Sequence, residues 1–319
     1  MLSMDQMLAG YDERVAAHNR RGGRFAEGIA WTGADLVPLG EATIPMADQG
    51  FLHGDMCYDV PGVWDGRFFR LDDHLERLEA SCAKLRLRLP MPRQELKELL
   101  IKMVQEGGYR DAYVEIIVTR GLEFVRFKRP EEVVNKVYCL ATPYIWVQEL
   151  KAQSKGGAAV VTRTVHRTPP RAVDPTVKNL QWGDLTRAWF EAQDRGAVYP
   201  LLPDGDGNVT EGFGYNVFVV KDGVLSSPSL GVLQGITRRT TAEIAERRGW
   251  IVRFEQVPIK SLYECDELFM TSTAGGIMPI TTLDGTPVGN GSVGPVTQAI
   301  WEDYWKLHYN DQYSFEVTY

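Results

Sequence analysis

A lysine, a glutamate and a glycine-led helix start carry the chemistry of this chain. Lys178 lies in the run 176–184, Glu211 in 209–216, and Gly235-Ile236-Thr237-Arg238 closes the run 231–238. A lysine amine condenses with an aldehyde once desolvation leaves it neutral. Val177 and Leu180 are apolar, which predicts partial burial of Lys178, and Gln181 and Trp182 put no carboxylate on the following turn. A carboxylate such as Glu211 can keep a pyridine nitrogen protonated, so that the ring withdraws electrons. Gly212 and Gly214 would let backbone approach a flat ring. Backbone N–H groups at the start of the helix, with the Thr237 hydroxyl, form an anion site. The run 271–276 adds hydroxyls and N–H groups, and Arg77 adds a bidentate charge for the same anion. Each alone has a plainer explanation. Lysines at such junctions are usually solvated, a Gly-flanked glutamate often closes a hairpin, and Gly-Thr before a helix is often only a cap.

The elements that must hold these groups are legible as patterns. Segments 28–31 and 36–38 form a hairpin, and 58–63 with 67–71 form another around Asp65-Gly66. A helix opens at Leu71 and runs to about Lys84, with Leu75, Leu78 and Cys82 on one face. A second covers 93–105. Strands follow at 112–120 and 137–141. The stretch 143–157 contains Pro143, loses periodicity and ends in Ser154-Lys155-Gly156-Gly157, so it is the predicted linker. Beyond it come a strand at 158–164, a proline-rich turn, a helix over 179–195 and short strands at 199–202, 210–212, 216–220 and 224–226. A helix over 237–248, a strand at 250–255, a helical turn at 261–265 and a strand at 267–272 complete the pattern. The class is α/β (α+β). A smaller N-terminal α/β domain covers 1–142, and a larger β-barrel-like domain decorated by helices covers 158–319 and carries the lysine.

Bulk properties exclude other functions. The 319 residues carry a net charge of −7, which argues against nucleic acid because phosphate neutralisation needs a basic patch. No run approaches the ~20 apolar residues of a membrane span, and the start of the chain lacks the apolar core of a signal peptide. Cys57, Cys82, Cys139 and Cys265 form no C-x-x-C pair and have no zinc spacing, so reduced, buried thiols in the cytoplasm are expected. No metal is expected. Asp204-Gly205-Asp206-Gly207-Asn208 begins like a calcium loop, but Val209 stands where glycine is needed and Tyr215 where glutamate is. No strand is followed by G-x-G-x-x-G, and neither a P-loop nor G-x-S-x-G is present.

Taken together, these residues resemble the fold-type-IV pyridoxal 5′-phosphate enzymes. That group holds branched-chain aminotransferases, D-amino acid aminotransferases and aminodeoxychorismate lyases. The resemblance runs from Ser3-Met4-Asp5 to Tyr313-Ser314-Phe315 and is strongest to the fungal-type (R)-selective amine transaminases. It rests on Gly50-Phe51-Leu52-His53, Tyr58-Asp59-Val60 and the runs 63–74, 178–184 and 273–280. It implies that Lys178 is the Schiff-base lysine and proton shuttle and that Glu211 partners the pyridine nitrogen. Arg77, Ile236, Thr237 and Thr273 would form the phosphate cup. His53, Tyr58, Val60, Tyr113, Glu115, Trp182 and Ala274 would line the substrate pocket, where an acid at 115 repels an α-carboxylate. Arg126 would be the mobile arginine that receives the carboxylate of a 2-oxo acid. The implied activity moves an amino group from an (R)-amine to pyruvate or another 2-oxo acid, in a homodimer. The alternatives are a D-amino acid or branched-chain aminotransferase, or a lyase of the same fold. The chain departs from that pattern in its bulky, basic segment with Phe124, Phe127, Lys128 and Arg129, and in Cys57 beside Tyr58.

Overall fold

The computed structural model describes residues 4–122, 129 and 132–319. The chain divides into two compact units. The first holds Asp5–Ile145, Val177–Leu180 and His308–Tyr319, and the second is chiefly Trp146–Thr176 and Gln181–Leu307. A single cut at 143–157 differs from this partition in two segments. Val177–Leu180, with the lysine, and the C-terminal His308–Tyr319 belong to the first unit.

The first unit contains α1 (Met4–Arg21), β1 (Ile29–Trp31), β2 (Leu36–Pro38), α2 (Gln49–His53), β3 (Met56–Asp59), β4 (Gly62–Trp64), β5 (Arg67–Phe69), α3 (Leu71–Lys84), α4 (Arg93–Gly107), β6 (Ala112–Thr119) and β7 (Lys136–Pro143). The second contains α5 (Leu150–Gln153), β8 (Gly157–Val161), α6 (Gly183–Asp194), β9 (Tyr199–Pro203), β10 (Asn208–Gly212), β11 (Asn216–Lys221), β12 (Val224–Pro228), α7 (Ile236–Arg247), β13 (Ile251–Glu255), β14 (Val257–Pro258), α8 (Ile259–Glu264), β15 (Glu267–Ser272), β16 (Gly276–Leu283), β17 (Thr286–Pro287) and α9 (Pro295–Leu307). The last strand, β18 (Ser314–Glu316), returns to the first unit, where it pairs with β5.

The first unit's eight-stranded sheet runs β18-β5-β4-β6-β7-β1-β2, with β3 also on β6. Its core joins Leu75, Leu78, Leu96 and Leu100 of the helices to Val114, Ile116 and Val118 of β6. The second unit's ten-stranded, barrel-like sheet runs β13-β12-β11-β15-β16-β8-β9-β10-β14, with β17 on β16. Its core is built around Leu201, Val217, Leu262, Met270 and Met278.

Local chemistry explains where the elements start and stop. Asp65 and Gly66 both take positive φ, 48° and 75°, which is the backbone a two-residue hairpin loop requires. The strand expected over 58–63 is two strands. Pro61 has no N–H to donate, so β3 ends at Asp59 and β4 begins at Gly62, and both pair with β6. In α3, Leu71, His74, Leu75, Leu78, Ser81 and Cys82 are buried at helical spacing, and Asp72 and Asp73 meet the positive end of its dipole. The helix expected from 179 begins only at Gly183. Residues 177–180 lie outside any helix and are tied down through the Lys178 backbone instead. The Tyr58 N–H donates to the Lys178 carbonyl at 2.9 Å, and the Lys178 N–H donates to Ser81 Oγ at 3.3 Å. The expected linker is not an open loop, since it carries α5 with Leu150 and Gln153 buried. Among the elements that escaped the patterns are α1, α2, β16, β18 and the aromatic-rich α9, whose Trp301, Tyr304 and Trp305 are fully buried.

Candidate active site

In the first unit the site is built on the half-buried face of β6. Ala112, Val114, Ile116 and Val118 point into the core, and the alternate residues Tyr113, Glu115 and Ile117 are only partly covered. Tyr58 on β3 lies opposite Ile117 and shares that face. The segment Val177–Leu180 is tied to β3 by the Tyr58 N–H on the Lys178 carbonyl, with Val177 buried in the core. From there Lys178 Nζ donates to the Tyr58 hydroxyl at 3.2 Å and stands 4.2 Å from the centre of its ring. Burial raises the Glu115 carboxyl above its ordinary range, and the Lys178 ammonium opposes that rise. Burial also pushes the Tyr113 phenol up, helped by the negative charges of Glu115, Tyr58 and Asp59. The structure thus brings together Lys178, Tyr58, Tyr113 and Glu115.

Behind β3 is a charge cluster in which sequence reasoning assigned only Arg77. Asp59 is fully buried and accepts from Arg77 Nε and Nη2, both at 2.8 Å. It also meets His74 Nδ1 at 2.7 Å and takes the Val60 N–H at 2.7 Å. Burial works against the Asp59 carboxylate, but Arg77 and His74 overcome it and hold the group well below the usual carboxylate range. Burial lowers His74, aided by the positive Arg77 and Lys178 and opposed by Asp59. Burial thus favours the neutral imidazole at His74, in the tautomer whose Nδ1–H donates to the Asp59 carboxylate. The guanidinium plane of Arg77 is fixed by two hydrogen bonds to Asp59.

His53 sits at the C-terminal end of the short helix α2, exposed, with Nδ1 on Gln49 Oε1 at 2.8 Å. Val60 is buried just after β3. Arg126 lies outside the described residues.

The second unit holds the other predicted residues. Glu211 on β10 is buried, with 7% of its surface exposed, and is hydrogen-bonded at both oxygens. Its Oε1 accepts from Arg167 Nε at 3.1 Å and Nη2 at 3.0 Å. Its Oε2 accepts from the Leu233 N–H at 2.8 Å and Asn216 Nδ2 at 3.2 Å. Arg167 reaches on through Nη1 to Asp184 Oδ2 at 2.7 Å. Burial works against the Arg167 charge, but Glu211 and Asp184 raise its pKa above the ordinary value. Burial likewise disfavours ionised Asp184, and the Thr168 N–H together with Arg167 holds it ionised. Arg167, Asp184 and Asn216 were not singled out from sequence; a carboxylate in an apolar strand signals a buried cation somewhere, but not which one.

Gly235 caps α7 with no side-chain hydrogen bond, so the N–H groups of its first turn have no capping side chain. A Cβ on Gly235 would lie 2.1 Å from Asn216 Oδ1, so only glycine fits between Asn216 and the helix start. Ile236 and Thr237 are buried in that first turn, and Thr237 Oγ1 lies 3.4 Å from the Tyr304 hydroxyl. Arg238 fastens the turn by donating to Ser227 Oγ, Gln234 Oε1 and the Pro228 carbonyl. Burial lowers its pKa to about 10, against the pull of Glu211. Thr271, paired with Asn216 across β11 and β15 and so on the same sheet face, has a buried hydroxyl with no hydrogen-bond partner among the described residues. A helix start without a capping side chain and an orphaned hydroxyl on the Asn216 face suit an anionic, phosphorylated ligand. Thr273 and Ala274 form the turn between β15 and β16, and the Ala274 carbonyl takes the Val147 N–H. Trp182, half-buried before α6, packs edge-on to Phe213 at 4.9 Å. One expectation is revised. A Cβ on Gly212 would strike the Tyr215 ring and the Pro200 carbonyl, so that glycine makes room for protein rather than for a flat ligand.

Comparison with known proteins places this geometry. The family model for amino-transferase class IV matches residues 56–283. A Methanocaldococcus jannaschii protein assigned as a branched-chain-amino-acid aminotransferase is 31% identical, over 83% of this chain and 91% of its own. The D-alanine aminotransferase of Listeria monocytogenes is 32% identical, over 82% of this chain and 90% of its own. Among solved structures, the branched-chain amino acid aminotransferase of Thermobaculum terrenum in its PLP form superposes with a TM-score of 0.81 at 25% identity, covering 91% of this chain and 98% of that one. With a family match across most of its length and relatives above 30% identity on both the branched-chain and D-alanine sides, the chain belongs to the class IV amino-transferases.

Proposed function

We propose that this class IV aminotransferase moves an amino group from an (R)-amine to pyruvate or another 2-oxo acid, with ping-pong kinetics. Class IV aminotransferases use pyridoxal 5′-phosphate, which supplies an aldehyde and an electron-withdrawing ring. Lys178 Nζ is the amine that would hold the aldehyde carbon, and the same amine would carry the proton from and back to the donor Cα. The Tyr58 hydroxyl, which accepts from Nζ, keeps the amine aimed while it waits. Glu211, held in place by hydrogen bonds at both carboxylate oxygens, would partner the ring nitrogen and favour its protonated form. Arg77, the first turn of α7 with Ile236 and Thr237, and Thr273 would hold the phosphate. His53, Val60, Tyr113, Trp182 and Ala274 shape the donor pocket, and Arg126 receives the acceptor's carboxylate.

The observation that carries the donor class is Glu115. Its carboxyl shares the half-buried face of β6 with Tyr113 and feels the charge of Lys178. An acid there repels an α-carboxylate and tolerates an amine without one. A second reading has a specific support: relatives near 30% identity carry the names of D-alanine and branched-chain amino acid aminotransferases. The test is a half-reaction followed through the cofactor's colour. Both enantiomers of 1-phenylethylamine are compared with D-alanine and L-leucine. Preference for (R)-1-phenylethylamine supports the amine reading, and preference for either amino acid replaces it.

The assembly we propose is a homodimer. Ile44, Met46, Phe51 and Leu52 are large apolar side chains left exposed within one short stretch of the first unit, as a subunit surface would leave them. Light scattering of the purified protein decides this. Among the described residues no helix is long and apolar enough to cross a membrane. Four free, buried cysteines fit a reducing compartment, and we place the enzyme in the cytoplasm.

A further inference from the structure

All four cysteines are free and buried, and two of them touch. Cys57 on β3 and Cys82 in the last turn of α3 have their sulfurs 3.6 Å apart. Cys139 lies in the apolar core, and Cys265 donates to the Leu262 carbonyl. The position of the touching pair matters. The residue after Cys57 is Tyr58, whose N–H holds the Lys178 carbonyl and whose hydroxyl accepts from Lys178 Nζ. The residue before Cys82 is Ser81, whose hydroxyl holds the Lys178 N–H. Both grips on the Lys178 backbone are therefore one residue away from the sulfur pair.

We propose that Cys57 and Cys82 form a reversible disulfide that shifts the two grips on Lys178 and turns the enzyme down under oxidising conditions. The cross-link stands on the sulfur geometry alone. Its effect on turnover rests on the role proposed above for Lys178.

The co-reactant is a small-molecule disulfide. The Cys82 thiolate attacks one of its sulfurs and expels one small thiolate. The Cys57 thiol then loses its proton, attacks the Cys82 sulfur and expels the second. Two protein S–H bonds and one small S–S bond become one protein S–S bond and two small thiols, and two electrons pass from the protein to the small disulfide. The order of attack follows from the surroundings. The hydrogen bond between the thiols, and then burial, push Cys57 up, whereas the same bond lowers Cys82. Access follows from the helix, because the last turn of α3 opens more readily than its middle. An S–S bond is about 2.05 Å long, so the sulfurs must close by about 1.5 Å. A misplacement of about 1 Å near a reacting group costs roughly a hundredfold in rate.

The test uses the full-length holoenzyme and oxidised glutathione. Non-reducing peptide mapping should show Cys57 joined to Cys82. Turnover should fall about a hundredfold and return with dithiothreitol. Cys82→Ser should keep basal turnover and resist the oxidant, and Cys57→Ala should do the same if the serine variant folds poorly. Absence of the Cys57–Cys82 peptide, or a cross-link to Cys139 or Cys265 instead, overturns the proposal. A cross-link that leaves turnover unchanged, while Lys178→Ala abolishes it, refutes the coupling and spares the role of Lys178. Turnover retained in Lys178→Ala removes that role, and with it the coupling, whatever the mapping shows.

Discussion

The lysine site of the first unit and the glutamate site of the second are held in opposite ways. Lys178 is gripped at its backbone by Tyr58 and Ser81, and its amine meets the Tyr58 hydroxyl. Glu211 is gripped at its carboxylate by Arg167, Asn216 and the Leu233 N–H. The difference follows from the work proposed for each. A nucleophile that also carries protons needs a fixed root and a movable tip. A counter-charge needs the reverse, because an electrostatic partner that relaxes loses its preorganisation. Backbone hydrogen bonds supply the first, and a buried ion-pair chain supplies the second.

That contrast can be broken by mutation, beginning where the effect is largest. Lys178→Ala should leave the melting temperature close to that of the parent and cut half-transamination of an (R)-amine by at least about 10⁴-fold. Stopped-flow absorbance with a matched thermal melt measures both. Glu211→Ala should do the reverse in stability. It strands the buried Arg167 with only Asp184, and should destabilise by about 3 kcal/mol in urea unfolding. A melt of Glu211→Ala indistinguishable from the parent would erase the distinction between the two sites.

Asp59 tests the same contrast through pH. Its pKa is depressed in the fold, so the stability it contributes is fully present above the unfolded carboxyl value of about 4 and is lost as pH falls below it. Asp59→Asn should be less stable than the parent near neutral pH and lose less stability as acid is added. Equal acid slopes in denaturation curves would show that the Arg77 clamp contributes nothing to folding. The smallest effect expected is that of Tyr58→Phe. It removes one hydrogen bond to a charged amine, about 1.5–3 kcal/mol at most, and should lower kcat without changing the melting temperature measurably. A larger loss in stability than in kcat would make Tyr58 a packing residue.

Much of this was legible beforehand because local rules decide it. The spacing of Leu75, Leu78 and Cys82 makes α3 amphipathic wherever it packs, and Asp65-Gly66 turns the chain between β4 and β5 without outside help. What failed was context. The helix pattern over 179–195 is real, yet α6 begins only at Gly183, because the backbone of Lys178 is tied to Tyr58 and to the Ser81 hydroxyl. Gly212 looked like a place for ligand and is a place for Tyr215. Asp59 stood in plain view between Tyr58 and Val60 without a role, because a single acid in a strand does not name its partners.

The sequence alone determined which groups are present: an amine, a carboxylate, a glycine-led helix start and the periodicities that carry them. Only the tertiary structure decided that Arg167 answers Glu211, that Asp59 orients Arg77, and that Cys57 meets Cys82 beside the grips on Lys178. Covalent order fixes what each residue can do. Its charge state, orientation and reach depend on neighbours distant in the chain, which burial and hydrogen bonding select only when the chain has folded.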